Sequence, residues 1–382
     1  MKVAFIRYRY DPYGGAERFT QLLMEHLALR GDEVHLYARR WKEAAPSGPI
    51  YHRVGGPGWP AILAYASFVY RVGRAVRLGH YDLVQSNERT LCQHVYRAGD
   101  GVHARWLELR LSQLGWIRRF SIRLNPFHRF RLWLERALFE SPELKAVIVN
   151  SNMVRDEILS RFRIDAACIH TIYNGVDLER FQPGRRAEGG EALRLRVGLN
   201  RETPVVLFVG SGFERKGLEP LLRAVARSTG GAHVWVVGKG RVLRYRGLAR
   251  TLGIESRVTF WGPQEDVVPF YAGADLFVLP TLYDPFPSVV LEAMASGLPV
   301  ITTRQCGAAE IIEEGADGFV VESGLDIETM ADRINQLCDE RLRQEMGRAA
   351  RRKAETLPIE GTVEALKALY EVLLRGRLSE AD

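Results

Sequence analysis

The chain has 382 residues, 46% of them hydrophobic and 26% charged, with a formal net charge of +7. That composition excludes a low-complexity or disordered chain, and the length exceeds what one core supports, since single cores stop growing at roughly 250 to 300 residues. No stretch reaches the roughly 18 apolar residues of an ordinary spanning helix, which leaves surface attachment open. The positive balance points to an acidic partner: nucleic acid, anionic lipid or a phosphorylated substrate.

The amino terminus runs Met1-Lys2-Val3-Ala4-Phe5-Ile6 straight into Arg7, too short an apolar run for a signal peptide and the right length for a first strand. Further strands are predicted at 33–37, 83–86, 94–98 and 146–149, with an amphipathic helix over 16–30 and Asn150-Ser151-Asn152 as the cap of another. Strand and helix in alternation make a parallel sheet with helices on its faces. The first domain closes near residue 172, and 183–195, rich in Gly, Arg and Glu, reads as a linker and an irregular domain entry. A second α/β series follows, with strands at 205–209, 233–237, 258–260, 276–279 and 300–302, whose apolar runs are those of strands buried on both faces. The amphipathic stretch 359–375 is not needed by the second domain and is placed as a crossover onto the first. The expected domains are therefore 1–172 with 359–382, and 173–358. Cys92, Cys168, Cys306 and Cys338 are scattered, with no Cys-x-x-Cys pair, and read as reduced thiols.

Gly14-Gly15 lies between the first strand and the first helix, where parallel sheets place ligand loops. It is either a close backbone approach to a ligand or a plain tight turn. Glu17 and Arg18, on the next turn, either reach an acceptor or face solvent. In the second half, Gly210-Ser211-Gly212-Phe213-Glu214-Arg215-Lys216-Gly217 follows a strand and precedes a helix. Backbone N–H groups, a helix N-terminus, the fork of Arg215 and the point charge of Lys216 together suit a diphosphate. A dinucleotide fingerprint needs a Gly where Arg215 stands, and a P-loop needs Ser or Thr after Gly-Lys, so both weaken. The segment 283–300 adds two carboxylates, Asp284 on a Pro-stiffened loop and Glu292 one turn into a helix that Ser288 can cap. Such a pair accepts hydrogen bonds from sugar hydroxyls, with Val289 at the loop–helix junction.

These motifs, in this order, resemble the family 4 glycosyltransferases, and the resemblance covers nearly the whole chain: Gly14-Gly15, Asn174-Gly175-Val176-Asp177, Arg215-Lys216-Gly217 and 284–297. It implies the GT-B architecture, an α/β fold of two facing Rossmann-like domains with an interdomain cleft and a C-terminal crossover helix. It implies a nucleotide sugar as donor, its diphosphate gripped by Arg215 and Lys216, with Gly14, Gly15 and Val289 also donor-binding. The family's Glu-x7-Glu motif contacts donor sugar and ribose; here Asp284 takes the first place and Glu292 the second. By the same analogy Asp100 or His103 lines the reacting centre, His103 bonding donor-sugar hydroxyls, while Glu17 and Arg18 belong to the acceptor side. No Asp-x-Asp occurs, so no metal and no cofactor is expected, and leaving-group charge falls to the two cations and backbone dipoles. Retention in the family is described as front-face displacement, which needs no enzymic nucleophile.

From Arg105 to Arg136 eight arginines stand against Glu108 and Glu135, a net of +6, interleaved with Trp106, Trp116, Phe120, Phe127, Phe130 and Trp133. Helices on anionic lipid have this mixture; the alternatives are an Arg-rich insertion covering the core and a nucleic-acid surface. Within the family, Tyr8, Tyr10, Pro12 and the 210–217 turn look similar to lipopolysaccharide core α-1,3-glucosyltransferases. The expectation is thus a cytoplasmic hexosyltransferase, peripheral on the cytosolic face of the inner membrane through 105–136. It moves glucose from UDP-glucose onto a lipopolysaccharide-core or related glycolipid acceptor, and no nucleic-acid partner is expected. A catalytically silent sugar-nucleotide-binding module and a basic nucleic-acid-binding protein are the rivals.

Overall fold

The computed structural model describes residues 1–9, 15–40, 48–183 and 189–379, with backbone alone for 15–19, 22 and 376–379. It divides into two compact units, Met1–Tyr173 with Thr362–Asp382, and Asn174–Gly361.

The first unit holds β1 (Lys2–Arg9), β2 (Glu33–Arg40), β3 (Ile50–Arg53), β4 (Leu83–Ser86), β5 (Val95–Arg97), β6 (Ala146–Val149) and β7 (Ile169–Thr171), in the spatial order β3-β2-β1-β4-β5-β6-β7. The second holds β8 (Val205–Val209), β9 (His233–Val237), β10 (Val258–Gly262), β11 (Leu276–Leu279), β12 (Val300–Thr303) and β13 (Gly318–Val321), in the order β10-β9-β8-β11-β12-β13. Neighbouring strands pair in parallel in both sheets. Each unit therefore counts 3-2-1-4-5-6 from its own first strand, the doubly wound nucleotide-binding order, and the first unit adds a seventh. The winding reverses between the first and fourth strands, so ligands collect at the carboxyl ends of β1 and β4, and of β8 and β11.

Burial explains the elements. Every residue of β8, β9 and β11 is buried, as helices on both faces require. The helix Leu218–Arg227 covers that sheet with Leu218, Leu221, Leu222 and Val225, spaced on one helical stripe. In the first unit Phe68, Val72 and Val76 of the helix Ala61–Leu78 pack against Ala4 and Ile6 of β1 and Val84 of β4. The helix Ile359–Ser379 brings the buried Tyr370 to hydrogen-bond Gln85 of β4, so its residues from Thr362 belong to the first unit.

Three differences from the sequence reading have physical causes. The stretch read as a linker ends in a helix, Gly190–Arg196, because Arg194 reaches into the core to pair with Asp275 at 2.9 Å, a contact no local pattern reveals. Strands β3, β7 and β13 were not foreseen; β3 is the short edge strand Ile50-Tyr51-His52-Arg53, without a fully buried residue. Ser288 caps nothing: Pro287 occupies the N-cap position and Ser288 is already helical.

Candidate active site

In the second unit the two strands at the reversal, β8 and β11, each deliver one half of a charged cluster. After β8 a single helical turn, Phe213–Lys216, sits between Gly212 and Gly217, both in the left-handed region at φ 76° and 82°. Gly217 is obligatory, because a Cβ there would overlap the Pro280 carbonyl oxygen. Phe213 anchors the turn from below, its ring edge-on to Phe208 and Tyr245. The Arg215 carbonyl accepts from Leu282 N–H at 2.8 Å and from the Thr281 hydroxyl at 2.9 Å, which ties the cationic turn to the loop after β11.

That loop carries Asp284. Its N–H donates to the Gln305 carbonyl and its own carbonyl accepts from Gly307, at 3.0 and 2.8 Å, so the backbone is pinned to the segment after β12. Its side chain is 8% exposed. Lys216 Nζ donates to Asp284 Oδ2 at 2.5 Å and Arg215 Nη1 donates to the same oxygen at 2.9 Å. Burial alone would raise the Asp284 carboxyl; Lys216 and then Arg215 outweigh it and hold it below the usual range. Two cations converging on one anionic oxygen at a sheet reversal form a cradle shaped for a phosphate oxygen. Among the described residues no group of three or more His, Cys, Asp or Glu side chains could hold a metal ion.

Glu292 lies on the helix Ser288–Ala295, where Tyr271 donates to its Oε2 at 2.8 Å. Burial raises its carboxyl, against the Tyr271 hydrogen bond and the charges of Arg180 and Lys216. Val289 is half-buried on the first turn of the same helix. Asn174, from the Asn-Gly-Val-Asp motif, is buried and donates to the Phe286 carbonyl at 3.0 Å, while Asp177 Oδ1 accepts the Arg180 N–H at 2.9 Å. The motif thus braces the Asp284 loop. Sequence reading assigned Tyr271 no role, although a hydroxyl in an apolar helix must find a partner, and that was the available signal.

In the first unit Gly14 lies outside the described residues; Gly15, Glu17 and Arg18 belong to the helix Gly15–Leu29, of which only their backbone is described. Asp100 is exposed on the turn after β5, and His103 opens the helix His103–Ser112. A buried ion pair that sequence reading missed positions them. Arg89 Nε meets Glu135 Oε1 at 2.9 Å, and Arg89 Nη2 donates to the Gly101 carbonyl at 2.8 Å. Glu135 in turn accepts the N–H groups of His103 and Ala104 at 2.8 and 3.1 Å, capping the helix from the core. The His103 ring lies near-parallel to Trp106 and 3.2 Å from His128 Nδ1. Burial, then the charges of Arg89 and Arg131 with His128, push it down to about 2, so it is a neutral imidazole at physiological pH. At the carboxyl ends of β1 and β4, Glu88 accepts from Tyr8 N–H at 3.1 Å and lies 3.9 Å from Arg7 Nε. Burial raises its carboxyl, Arg7 opposes this and Asp100 adds to it. Glu88 was also not foreseen.

The basic segment separates into two kinds of surface. Leu107 and Leu134 are core, and Arg105 and Arg136 pair with acids, so 105–136 as a whole does not lie free. The helix Trp116–Leu124 differs, with no buried residue; Trp116 is 78%, Ile117 65%, Phe120 64% and Leu124 53% exposed. At about 100° per residue these four fall within one arc of about 100°, with Arg118, Arg119 and Arg123 outside it. Among the described residues no helix is long and apolar enough to cross a membrane.

Two doubly wound units, one with a cationic cradle at its reversal, define the GT-B class of glycosyltransferases, and comparison with known proteins agrees. Residues 13–180 match the family model Glycosyltransferase Family 4, and residues 191–353 match that of Glycosyl transferases group 1. The chain belongs to the family 4 glycosyltransferases. It is 31% identical to D-inositol 3-phosphate glycosyltransferase of Mycobacterium marinum, over 94% of this chain and 81% of that protein. It is 26% identical to lipopolysaccharide glucosyltransferase WaaG of Escherichia coli, over 93% of this chain and 95% of that one. A crystal structure of WaaG, a glycosyltransferase involved in lipopolysaccharide biosynthesis, superposes with a TM-score of 0.84 at 24% identity, covering 96% of this chain and 99% of that one.

Proposed function

We propose that the chain transfers glucose from UDP-glucose to a sugar hydroxyl of a nascent lipopolysaccharide core or related glycolipid, with retention and without a metal or cofactor. The observation that carries this is the convergence of Arg215 and Lys216 on one buried oxygen of Asp284 at the reversal of the second sheet. In the complex a donor phosphate oxygen takes a share of both cations, Glu292 accepts from the ribose, and Asp284 and the first turn of the Val289 helix face the hexose and diphosphate. The anomeric carbon–oxygen bond to the β-phosphate breaks while the bond to the acceptor oxygen forms on the same face, and the acceptor proton leaves on the departing phosphate oxygen. The cations stabilise the charge that develops there. Asp100 and the neutral His103 line the reacting centre, His103 bonding donor-sugar hydroxyls, Gly14 and Gly15 add donor contacts, and Glu17 and Arg18 orient the acceptor.

The E. coli relative's name supports a lipopolysaccharide acceptor; the Mycobacterium relative's name supports a phosphorylated cyclitol as the competitor. The exposed apolar arc of Trp116–Leu124, edged by arginines, supports docking on an anionic membrane at the cytosolic face. The test is a screen of radiolabelled UDP-, GDP- and ADP-sugars against truncated lipopolysaccharide and inositol phosphate. Transfer from UDP-glucose to the truncated lipopolysaccharide alone is expected. Folded protein that turns over no nucleotide sugar would instead be a silent binding module.

A further inference from the structure

We infer that Tyr271 is a positioning residue for the nucleoside half of the donor: its hydroxyl fixes one oxygen of Glu292 and so presents the other to the ribose. The inference rests on the reading of Glu292 as the ribose contact. The hydroxyl lies 2.8 Å from Glu292 Oε2 and 3.4 Å from the Val289 carbonyl, and its one proton goes to the nearer, charged acceptor. With Oε2 committed, Oε1 is left for a ligand hydroxyl, and the carboxylate cannot swing about its last torsion without breaking that bond.

Two ring contacts hold Tyr271 itself, and two arginines hold the backbone around it. It sits on the short helix Val268–Gly273, 1% exposed, its ring edge-on to Phe181 at 5.6 Å and tilted against Phe277 of β11 at 6.1 Å. The buried Arg194 grips the end of that helix through the Gly273 carbonyl at 2.9 Å. Arg351 Nη1 donates to the carbonyls of Phe181 and of Ala295, at 2.7 and 2.8 Å, tying the turn behind Tyr271 to the far end of the Glu292 helix. The tyrosine and the glutamate therefore belong to one rigid frame, in which burial has already weakened the tendency of Glu292 to ionise. A charge-assisted hydrogen bond is what keeps such a carboxylate an acceptor.

The test compares binding of UDP and of 2′,3′-dideoxy-UDP by calorimetry. The wild-type protein is expected to prefer UDP by at least about 10-fold, the effect of hydrogen bonds to a charged group. Tyr271→Phe is expected to shrink that preference about 5-fold while leaving affinity for the dideoxy compound unchanged. Adding it to Glu292→Ala should change nothing further. Phe181→Leu loosens the packing but spares the hydroxyl; it should lower the melting temperature and keep the preference. Equal weakening of both nucleotides by Tyr271→Phe, or a preference that survives it, overturns the inference. A wild-type protein that binds UDP with no preference for the ribose hydroxyls removes the Glu292 contact itself, and the inference falls with it.

Discussion

Replacing Lys216 with methionine deletes the ammonium and keeps the length of the stem. In the free protein that ammonium lies 2.5 Å from Asp284 Oδ2, and Arg215 holds the same oxygen at 2.9 Å. Removing one member of a buried ion pair costs about 3–5 kcal/mol when the other charge is left uncompensated. Here Arg215 remains, although its side chain is 40% exposed, so the loss falls nearer the roughly 1.5–3 kcal/mol of a hydrogen bond to a charged group. At about 2–4 °C per kcal/mol for a domain of roughly 150–250 residues, the second unit should melt about 3–12 °C lower. UDP should bind about 10- to 100-fold more weakly, since one of the two cations proposed to meet the diphosphate is gone.

The same substitution carries a pH signature. Lys216 is the larger of the two charges holding the Asp284 carboxyl down. A carboxylate depressed in the folded state stabilises it fully above its unfolded pKa of about 3.9, and the contribution is lost as pH falls through the depressed value. Lys216→Met raises the folded value, so acid unfolding should begin at a higher pH than in the wild type. Asp284→Asn is the opposite perturbation: it leaves both cations and removes the anion that competes for them, so UDP binding should hold or tighten while glucose transfer falls. Calorimetric titration with UDP and thermal melts from pH 7 down to about pH 2, which spans the window below the unfolded carboxyl pKa, read all of this. An unchanged UDP affinity in Lys216→Met, or an equal loss in Asp284→Asn, would refute the cradle.

Arg194→Ala should be the most destabilising of these changes, by about 3–5 kcal/mol, because it takes from the buried Asp275 its charge partner at 2.9 Å, leaving Arg343 at 3.8 Å and the Val205 N–H at 2.8 Å; thermal melting measures it. His103 is neutral when folded and has an ordinary pKa near 6.5 when unfolded, so the unfolded chain takes up the proton first and stability falls as pH drops below that value, by up to about 1.4 kcal/mol per unit. His103→Gln should flatten that fall between pH 6.5 and 5, and a variant with the wild-type slope would clear His103 of the effect. The pair Trp116→Ser and Phe120→Ser should abolish co-sedimentation with vesicles containing phosphatidylglycerol and spare transfer to a detergent-solubilised acceptor. Retained vesicle binding would move the membrane contact elsewhere.

What could be read from the sequence follows from how far apart the interacting residues stand. The second sheet was legible because β8, β11 and all of β9 after His233 are apolar runs that end on Gly or Pro, the pattern of strands covered on both faces. The cationic turn was legible for the same local reason: glycines on either side of Arg215-Lys216 admit the left-handed conformations the turn uses. Neither property of the strand nor of the turn says that both cations close on Asp284, 68 residues from Lys216, or that Arg194 crosses 81 residues to Asp275. Such pairs leave a trace only as a charge in the wrong place. Glu135 is one, lying beside Leu134 and Leu138 on the buried side of the helix Pro126–Phe139. A heptad-scale reading of that helix would have asked what neutralises it, and Arg89 is the answer.

The basic segment shows the converse error, in which one compositional label covers two environments. Arginine and aromatic residues alternate throughout 105–136, yet aromatic rings in the helix Pro126–Phe139 touch Tyr65, whereas the helix Trp116–Leu124 turns its rings outward. Spacing separates them: Trp116, Ile117, Phe120 and Leu124 share one arc with no acid anywhere in the helix, while the second helix places Glu135 beside its leucines. An apolar arc that folds onto the core tolerates a carboxylate if a partner such as Arg89 waits there. An arc meant for an anionic surface does not, because the carboxylate would meet the same charge it carries. The position of acids relative to the apolar stripe, more than the number of arginines, is therefore what distinguishes the exposed helix proposed to face a membrane from the core helix in this chain.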